Sequence, residues 1–349
     1  MSLKKHLIAA GFGLFRATRL HRLSPGFIRG RGVILTFHRI RPADGAGFAP
    51  NALLEITPDF LDRVLTLVRE NGLEIITLDE AARRIETREG APFAALTFDD
   101  GFRDVVVHGL PVLERHEAPF TFYIAPAVAD HTARLWWVEL EEAIRKLDAI
   151  DLDVEGLRLS LPTKTDAEKG AAFERVYWLL RDGGEARLLD GVARLRDRAG
   201  IDPQALVASL CLDWSELRAL AAHGLLTFGA HSMTHLRLAL LSEEAALAEI
   251  TESRDRLERE FSRPCRHFAY PYGDPTTAGP REFALAKSAG FTTAVTTRPG
   301  MIFAEHGDHM MALPRLSVNG LWQSEDYFEA LLSGAPLALW NRGRRVNAG

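Results

Sequence analysis

Cysteine is nearly missing. Cys211 and Cys265 are the two in 349 residues, which excludes a disulfide framework and any four-cysteine zinc site. No apolar run reaches the ~20 residues that a membrane span requires, and there is no internal repeat or low-complexity tract. Acidic residues are missing from positions 1–43, where Lys4, Lys5, Arg16, Arg19, Arg22, Arg29, Arg31, Arg39 and Arg41 stand alone. That leaves 33 basic against 47 acidic residues, a net −14, for the rest of the chain. A nucleic-acid-binding chain is more often basic throughout, so nucleic acid is not an expected partner. What is present is ordinary globular material: 47% hydrophobic and 26% charged residues supply a sizeable core and argue against disorder.

Lys4 and Lys5 followed by the apolar stretch Leu7 to Phe15 imitate a signal peptide. No small-residue cleavage site follows, and Arg16, Arg19 and Arg22 come directly after. The sequence therefore predicts a basic leader helix over residues 1–31. Such a helix either lies against anionic lipid as a peripheral contact or is simply solvated. The matching location is cytoplasmic or membrane-associated, with secretion left open.

Beyond the leader, short branched or aromatic runs alternate with helical periodicity. Val33 to Phe37 reads as a buried strand ending at His38 and Arg39. Thr57 and Pro58 open a helix whose apolar residues Phe60, Leu61, Val64, Leu65 and Val68 recur until Asn71-Gly72. Ile75-Ile76, Ala94 to Phe98 and Phe120 to Ile124 are further strands, with helices from near Asp79 and over Asp104 to His116. After a mainly helical stretch, the rhythm resumes with strands at Leu225 to Ala230, Arg266 to Tyr270 and Thr292 to Thr296. Helices there cover Trp214 to Ala222, Ser242 to Glu260 and Glu282 to Ala289. Six or seven such units fit a barrel better than an open sheet, although periodicity does not decide closure. The predicted organisation is a barrel in two parts, 32–128 and 213–320, split by a helical insertion over 129–212. A C-terminal helix and a basic tail, frayed around Asn341 to Arg345, follow over 321–349.

Three segments carry chemistry. His231-Ser232-Met233-Thr234-His235 follows a strand and sets two imidazoles four apart on one face of a helical turn, a spacing that suits one metal ion. By itself it also fits two solvent-facing histidines. Imidazole favours zinc, cobalt, nickel or iron, and a catalytic site wants a third protein ligand and an open position. Thr97-Phe98-Asp99-Asp100-Gly101 ends a strand with two carboxylates. One can bind metal while the other takes a proton from metal-bound water; Asp-Asp-Gly is also an ordinary turn. Arg266 to Gly273 is an aromatic strand leading into a Pro-x-Gly turn, whose backbone N–H suits a developing oxyanion, or which merely closes a buried strand.

In this order, Thr-Phe-Asp-Asp-Gly, His-Ser-x-x-His and Phe-x-Tyr-Pro-Tyr-Gly resemble the polysaccharide deacetylases, the NodB-homology or carbohydrate esterase family 4 group, over roughly Gly32 to Val318. Phe37-His38-Arg39 and Leu313-Pro314-Arg315 resemble one branch of that family. The resemblance implies an α/β fold, a distorted (β/α) barrel of the NodB-homology type, and metal-dependent removal of an acyl group from an N-acylated sugar. It maps Asp99 to the general base and Asp100, His231 and His235 to the ligands of a divalent metal, zinc first with cobalt, nickel or iron as alternatives. It maps Ser232 to the brace of the histidine loop and Tyr272 to the residue whose backbone N–H helps hold the oxyanion.

The chain also departs from the family pattern. Ala269 and Tyr270 stand before Pro271 where an arginine often pairs with the base, and no late Leu-x-His supplies an acid. Arg315 is the candidate for the missing positive charge near Asp99, and His38 the candidate to approach the metal site; a surface ion pair and a hydrogen-bonded strand-end histidine are the plainer readings. Trp136 and Trp137 read as core rather than as a sugar platform. The predicted activity is hydrolysis of an N-acetyl amide in a poly- or oligosaccharide, releasing acetate and a free amine. Its alternatives are a deformylase or deacetylase of a lipid-linked sugar, or an inactive saccharide-binding barrel.

Overall fold

The computed structural model describes residues 26–43, 45 and 47–348. The predicted leader helix and its lipid contact fall chiefly on residues 1–25, outside the described residues.

Twelve strands follow in chain order: β1 (Gly32–Phe37), β2 (Arg39–Ile40), β3 (Glu55–Ile56), β4 (Glu74–Ile76), β5 (Phe93–Phe98), β6 (Phe120–Ile124), β7 (Ala149–Val154), β8 (Leu157–Pro162), β9 (Leu226–Ala230), β10 (His267–Ala269), β11 (Thr293–Pro299) and β12 (Leu313–Ser317). Seven of them close a parallel barrel in the order β1-β12-β11-β10-β9-β6-β5, because β1 pairs with β5 along its whole length, from Gly32 opposite Phe93 to Phe37 opposite Phe98. The other edge of β5 is shared, with β4 beside Phe93 to Ala95 and β6 beside Leu96 to Phe98. The fold is thus a closed (β/α) barrel, as the family resemblance implied, and its closure is the feature that periodicity alone left open.

Strand side chains alternate between the two faces, so each strand feeds both the barrel interior and the helical jacket. Ile34, Ala95, Tyr123, Ala269, Val295 and Leu313 meet in one buried cluster, an interior layer contributed by six strands. Residues of opposite parity, such as Val33, Leu35, Leu96, Phe98 and Phe122, pack in the other cluster with Leu61, Val64 and Leu65 of the helix Pro58–Glu70. Thr57 caps that helix by accepting from the Phe60 N–H, and Pro58 occupies its first turn. Gly229 is obligatory in β9, since a Cβ there would stand 2.4 Å from the ring of Tyr123. Two or four residues beyond the interior positions Ile34, Ala95, Gly229 and Leu313, the same parity brings His38, Asp99, His231 and Arg315 to the C-terminal rim of the strands or just past it.

Three local expectations need correction. The stretch 129–212 is not wholly helical: between the helices Trp136–Lys146 and Asp166–Arg181 lies the antiparallel hairpin β7–β8. Its signal was present, because Ile150, Leu152 and Val154 are buried while Ala149, Asp151 and Asp153 are exposed, and Glu155 and Gly156 both take positive φ at the turn. The His231–His235 segment is not a helical turn; Ser232 and His235 take φ of 57° and 62° and fold the loop back on itself. The C-terminal tail is held in place. Arg298 donates to the Asn347 carbonyl (2.6 Å), Asn341 to the Pro299 carbonyl (2.7 Å), and Arg345 pairs with Glu305 (3.0 Å). Among the described residues no helix is long and apolar enough to cross a membrane.

His306, in the short turn Ala304–Asp308, is buried and takes the Phe303 N–H on Nδ1 (3.0 Å). Burial drops its pKa from 6.5 to about 4. The unfolded chain therefore binds a proton that the folded chain refuses. Stability present above pH 6.5 is lost as pH falls toward 4, by as much as about 3 kcal/mol. Urea unfolding across that range is expected to show the slope, and His306→Gln to flatten it. An unchanged slope in that variant would refute the assignment.

Candidate active site

Asp99 follows β5 directly, its N–H bonded to the Phe37 carbonyl (3.0 Å). Its carboxylate is gripped at both oxygens by Arg315, with Nη1 at 2.8 Å from Oδ1 and Nη2 at 2.7 Å from Oδ2. The guanidinium is itself wholly buried and uses its other donors on the Thr296 carbonyl (Nε, 2.9 Å) and Thr97 Oγ1 (3.1 Å). Such a fork is the strong form of the interaction. Burial alone would raise the Asp99 carboxyl, but the charge and hydrogen bonds of Arg315, together with the charges of His231 and His38, outweigh it and hold the group below the usual carboxylate range. His38 Nε2 lies 4.0 Å from Asp99 Oδ2, and burial keeps that imidazole below its ordinary pKa.

Asp100 turns the other way because its backbone is left-handed, with φ of 71°. Oδ1 stands 3.5 Å from His231 Nε2 and 3.3 Å from His235 Nε2. Burial again opposes ionisation, and the imidazole hydrogen bonds overcome it, so the carboxyl lies well below its usual range. His231 Nδ1 faces the Ala269 carbonyl at 2.8 Å, which makes Nδ1 the donor and leaves Nε2 for a ligand. Ser232 Oγ accepts from the His235 N–H (3.0 Å) and braces the loop. Among the described residues these three side chains form the one cluster of metal-ligating groups. The set fits a divalent cation: donors about 2.0–2.1 Å from a tetrahedral ion lie about 3.4 Å apart, which matches the spacing of Asp100 Oδ1 from each imidazole, and all three ligand atoms lie within 4.8 Å of one another. Two nitrogens and one carboxylate oxygen match a borderline-soft metal such as zinc, with a position left open.

Tyr272 is held in a left-handed conformation, φ 62°. Its carbonyl accepts from Thr297 Oγ1 (2.5 Å), its hydroxyl from Trp136 Nε1 (2.7 Å), and the Arg181 guanidinium lies 5.3 Å above its ring while bonding Asp274 (2.8 Å). Trp136 and Arg181 come from the inserted segment and Thr297 from β11, so the stretch that interrupts the barrel helps to fix the turn beside the Asp100–His231–His235 cluster. Trp136→Phe leaves the buried hydroxyl without its donor, and a stability loss of about 1–2 kcal/mol is expected. Calorimetry checks it, and unchanged unfolding would show that the bond contributes nothing.

Asp99, Asp100, His231, His235, Tyr272 and His38 line a single cavity of about 760 Å3, with Arg315 buried behind Asp99, a size typical of small-molecule sites. Trp136 and Trp137 are core residues and wall residues at once, 2% and 6% exposed yet lining the cavity. Two parts of the site escape a linear reading. The Tyr272 anchors are long-range pairs with no local pattern. A further part of the lining, from Leu53, Leu54 and Leu321, comes from two short turns far apart in sequence.

Residues 87–294 match the family described as polysaccharide deacetylase. No curated protein matches the chain. The fold is shared with a Streptococcus pyogenes deacetylase, PplD, solved with acetate, at 17% identity and a TM-score of 0.55 over 82% of this chain and 92% of that one. It is shared also with IcaB from Ammonifex degensii, at 18% identity and a TM-score of 0.53 over 88% and 98%. A third structure, the Bacillus cereus polysaccharide deacetylase BC0361, aligns at 17% identity and a TM-score of 0.53 over 86% and 68%. The matched span is more than half of the chain, and it carries both the Asp-Asp pair and the His-Ser-x-x-His loop: the chain belongs to the polysaccharide deacetylase family, hydrolases that remove acyl groups from saccharides.

Proposed function

We propose that the chain hydrolyses the amide of an N-acylated sugar, releasing the carboxylic acid and a free amine, with Asp100, His231 and His235 as ligands of one divalent cation, zinc first. The observation that carries this reading is the juxtaposition of two adjacent carboxylates in opposite roles: Asp100 turned onto two imidazoles, and Asp99 turned onto a buried arginine. When bound, the cation supplies Lewis-acid polarisation of a carbonyl and a lowered pKa for bound water.

The side chains divide the remaining work. Asp99, dehydrated and held by Arg315, accepts the proton of the attacking water. The Tyr272 main-chain N–H, on a turn anchored by Trp136 and Thr297, donates to the developing oxyanion. An amide nitrogen departs only when protonated, and the late histidine of the family is missing here. We assign delivery of that proton to His38, neutral at rest, which lines the cavity 4.0 Å from Asp99 and passes on to the departing nitrogen the proton that Asp99 takes from the water. His38→Gln is expected to lower kcat by about a hundredfold with little change in KM; wild-type turnover would return the acid to another group. The decisive measurement is acid release, followed by mass spectrometry, from a panel of N-acylated saccharides by zinc-loaded protein. Release is expected from the loaded protein and its loss after chelation, with restoration on adding zinc. Acid release unaffected by chelation would remove the metal from the reading, and none from any loaded sample would remove the activity.

A further inference from the structure

We infer that the substrate carries an apolar group beside its acylated sugar, bound in the outer half of the catalytic cavity as an alkyl or polyprenyl-like chain. This inference rests on the deacylase reading above. A continuous aromatic path leads from the metal cluster toward solvent: the ring of His235 lies 5.2 Å from Trp137, Trp137 5.9 Å from Trp136, Trp136 5.0 Å from Tyr177, and Tyr177 5.1 Å from Trp178. The path ends in the open, with Trp178 53% exposed. Also lining the cavity, Leu53 is 42% and Leu321 48% exposed. They sit on two turns that pack closely because Gly320 has no side chain; a Cβ there would stand 2.0 Å from the Ala52 carbonyl oxygen.

Aliphatic residues in the same cavity as the aromatic path decide the occupant. A saccharide chain presents apolar C–H faces but also hydroxyl edges, and hydroxyls set against leucine lose water without gaining a partner. Asn51 is already bonded to the Trp137 carbonyl (2.9 Å) and Glu141 (2.7 Å), which leaves the Trp137 indole N–H and the exposed Glu174 carboxylate as polar groups among otherwise apolar side chains in this region. An alkyl chain forfeits nothing between such residues and gains by leaving water. The cavity is continuous with the catalytic floor, so its occupant is part of the same substrate, and about 760 Å3 holds far more than one acetamido sugar.

The test compares 2-acetamido-2-deoxyglucopyranosides bearing methyl, butyl and octyl aglycones, all below their micellar concentrations, with short N-acetylated oligosaccharides. The kcat/KM is expected to rise roughly fourfold for each methylene that enters the cleft, and at least about thirtyfold from methyl to octyl. Trp178→Ala and Leu321→Gln, both at solvent-exposed positions compatible with folding, are expected to shrink the octyl-to-methyl ratio about tenfold. A ratio near one, or rates that climb with the number of sugar units, overturns the inference and leaves the deacylase reading standing. If no substrate releases acid, that reading fails and binding alone decides the cleft, followed by tryptophan fluorescence. Saturable binding of the octyl but not the methyl glycoside supports the inference, and equal or absent binding overturns it.

Discussion

Asp99→Asn is expected to lower turnover by about a thousandfold or more while the protein still binds its divalent cation. The two halves of this expectation have separate causes. A positioned base contributes about 10²–10⁴ to the rate, and an asparagine amide of the same shape does not accept the proton of the attacking water. The cation is held by Asp100, His231 and His235, which keep their spacing because Asp99 makes no bond to any of them; its two strong partners are the arms of Arg315. Metal content measured alongside kcat separates the roles. Turnover within a few-fold of wild type refutes Asp99 as the base, and loss of metal together with activity makes it a structural support of the cluster instead. Asp100→Asn is the counterpart, expected to lose both.

Arg315→Met is expected to cost about 3–5 kcal/mol at pH 7, the usual loss when one partner of a buried pair is removed and the other charge is left behind. Arg315 is fully buried and Asp99 2% exposed. The charge of Arg315 is the largest single influence opposing the burial of that carboxylate, with His231 and His38 acting in the same direction. The sign of the pH dependence follows. In the wild type the Asp99 carboxyl is held below its unfolded value, so its contribution is present above that value and is lost only as pH falls through the lower folded one. Without the guanidinium, burial raises the folded value, and the penalty is then largest at neutral pH and shrinks in acid as the native protein takes up the proton. Urea unfolding at pH 7 and pH 5 is expected to show a smaller difference from wild type at the lower pH. Asp99→Asn in the Arg315→Met background removes the stranded charge and is expected to restore part of the loss, the non-additivity of a true pair. Strict additivity of the two substitutions would mean that the bidentate contact contributes no coupling energy.

These residues differ in how far a linear reading reaches them. The strand ending in Asp99-Asp100 and the His-Ser-x-x-His loop are local events, each marked by a few adjacent side chains after an apolar run, and so both were visible. The role of Arg315 was open between a surface ion pair and a partner for Asp99, because 216 residues separate the two. The hairpin β7–β8 carries a period of two in Ala149 to Val154, but the helical patterns on both sides dominate that window and mask it. His38 was a candidate without a measure of its nearness until the first and fifth strands were seen to pair.

Local patterning by itself determined the alternation of strands and helices, the carboxylate pair and the two imidazoles, since each depends on neighbours in the chain and on alternating burial; the missing late histidine is legible only against the family resemblance. The tertiary structure alone decided that β1 lies against β5 and closes the barrel, that Arg315 grips Asp99 rather than facing water, and that the inserted segment anchors Tyr272 and builds an apolar wall. The reason is physical: contacts between distant segments are set by strand register and barrel closure, which collect side chains of one parity at one rim whatever their separation along the chain.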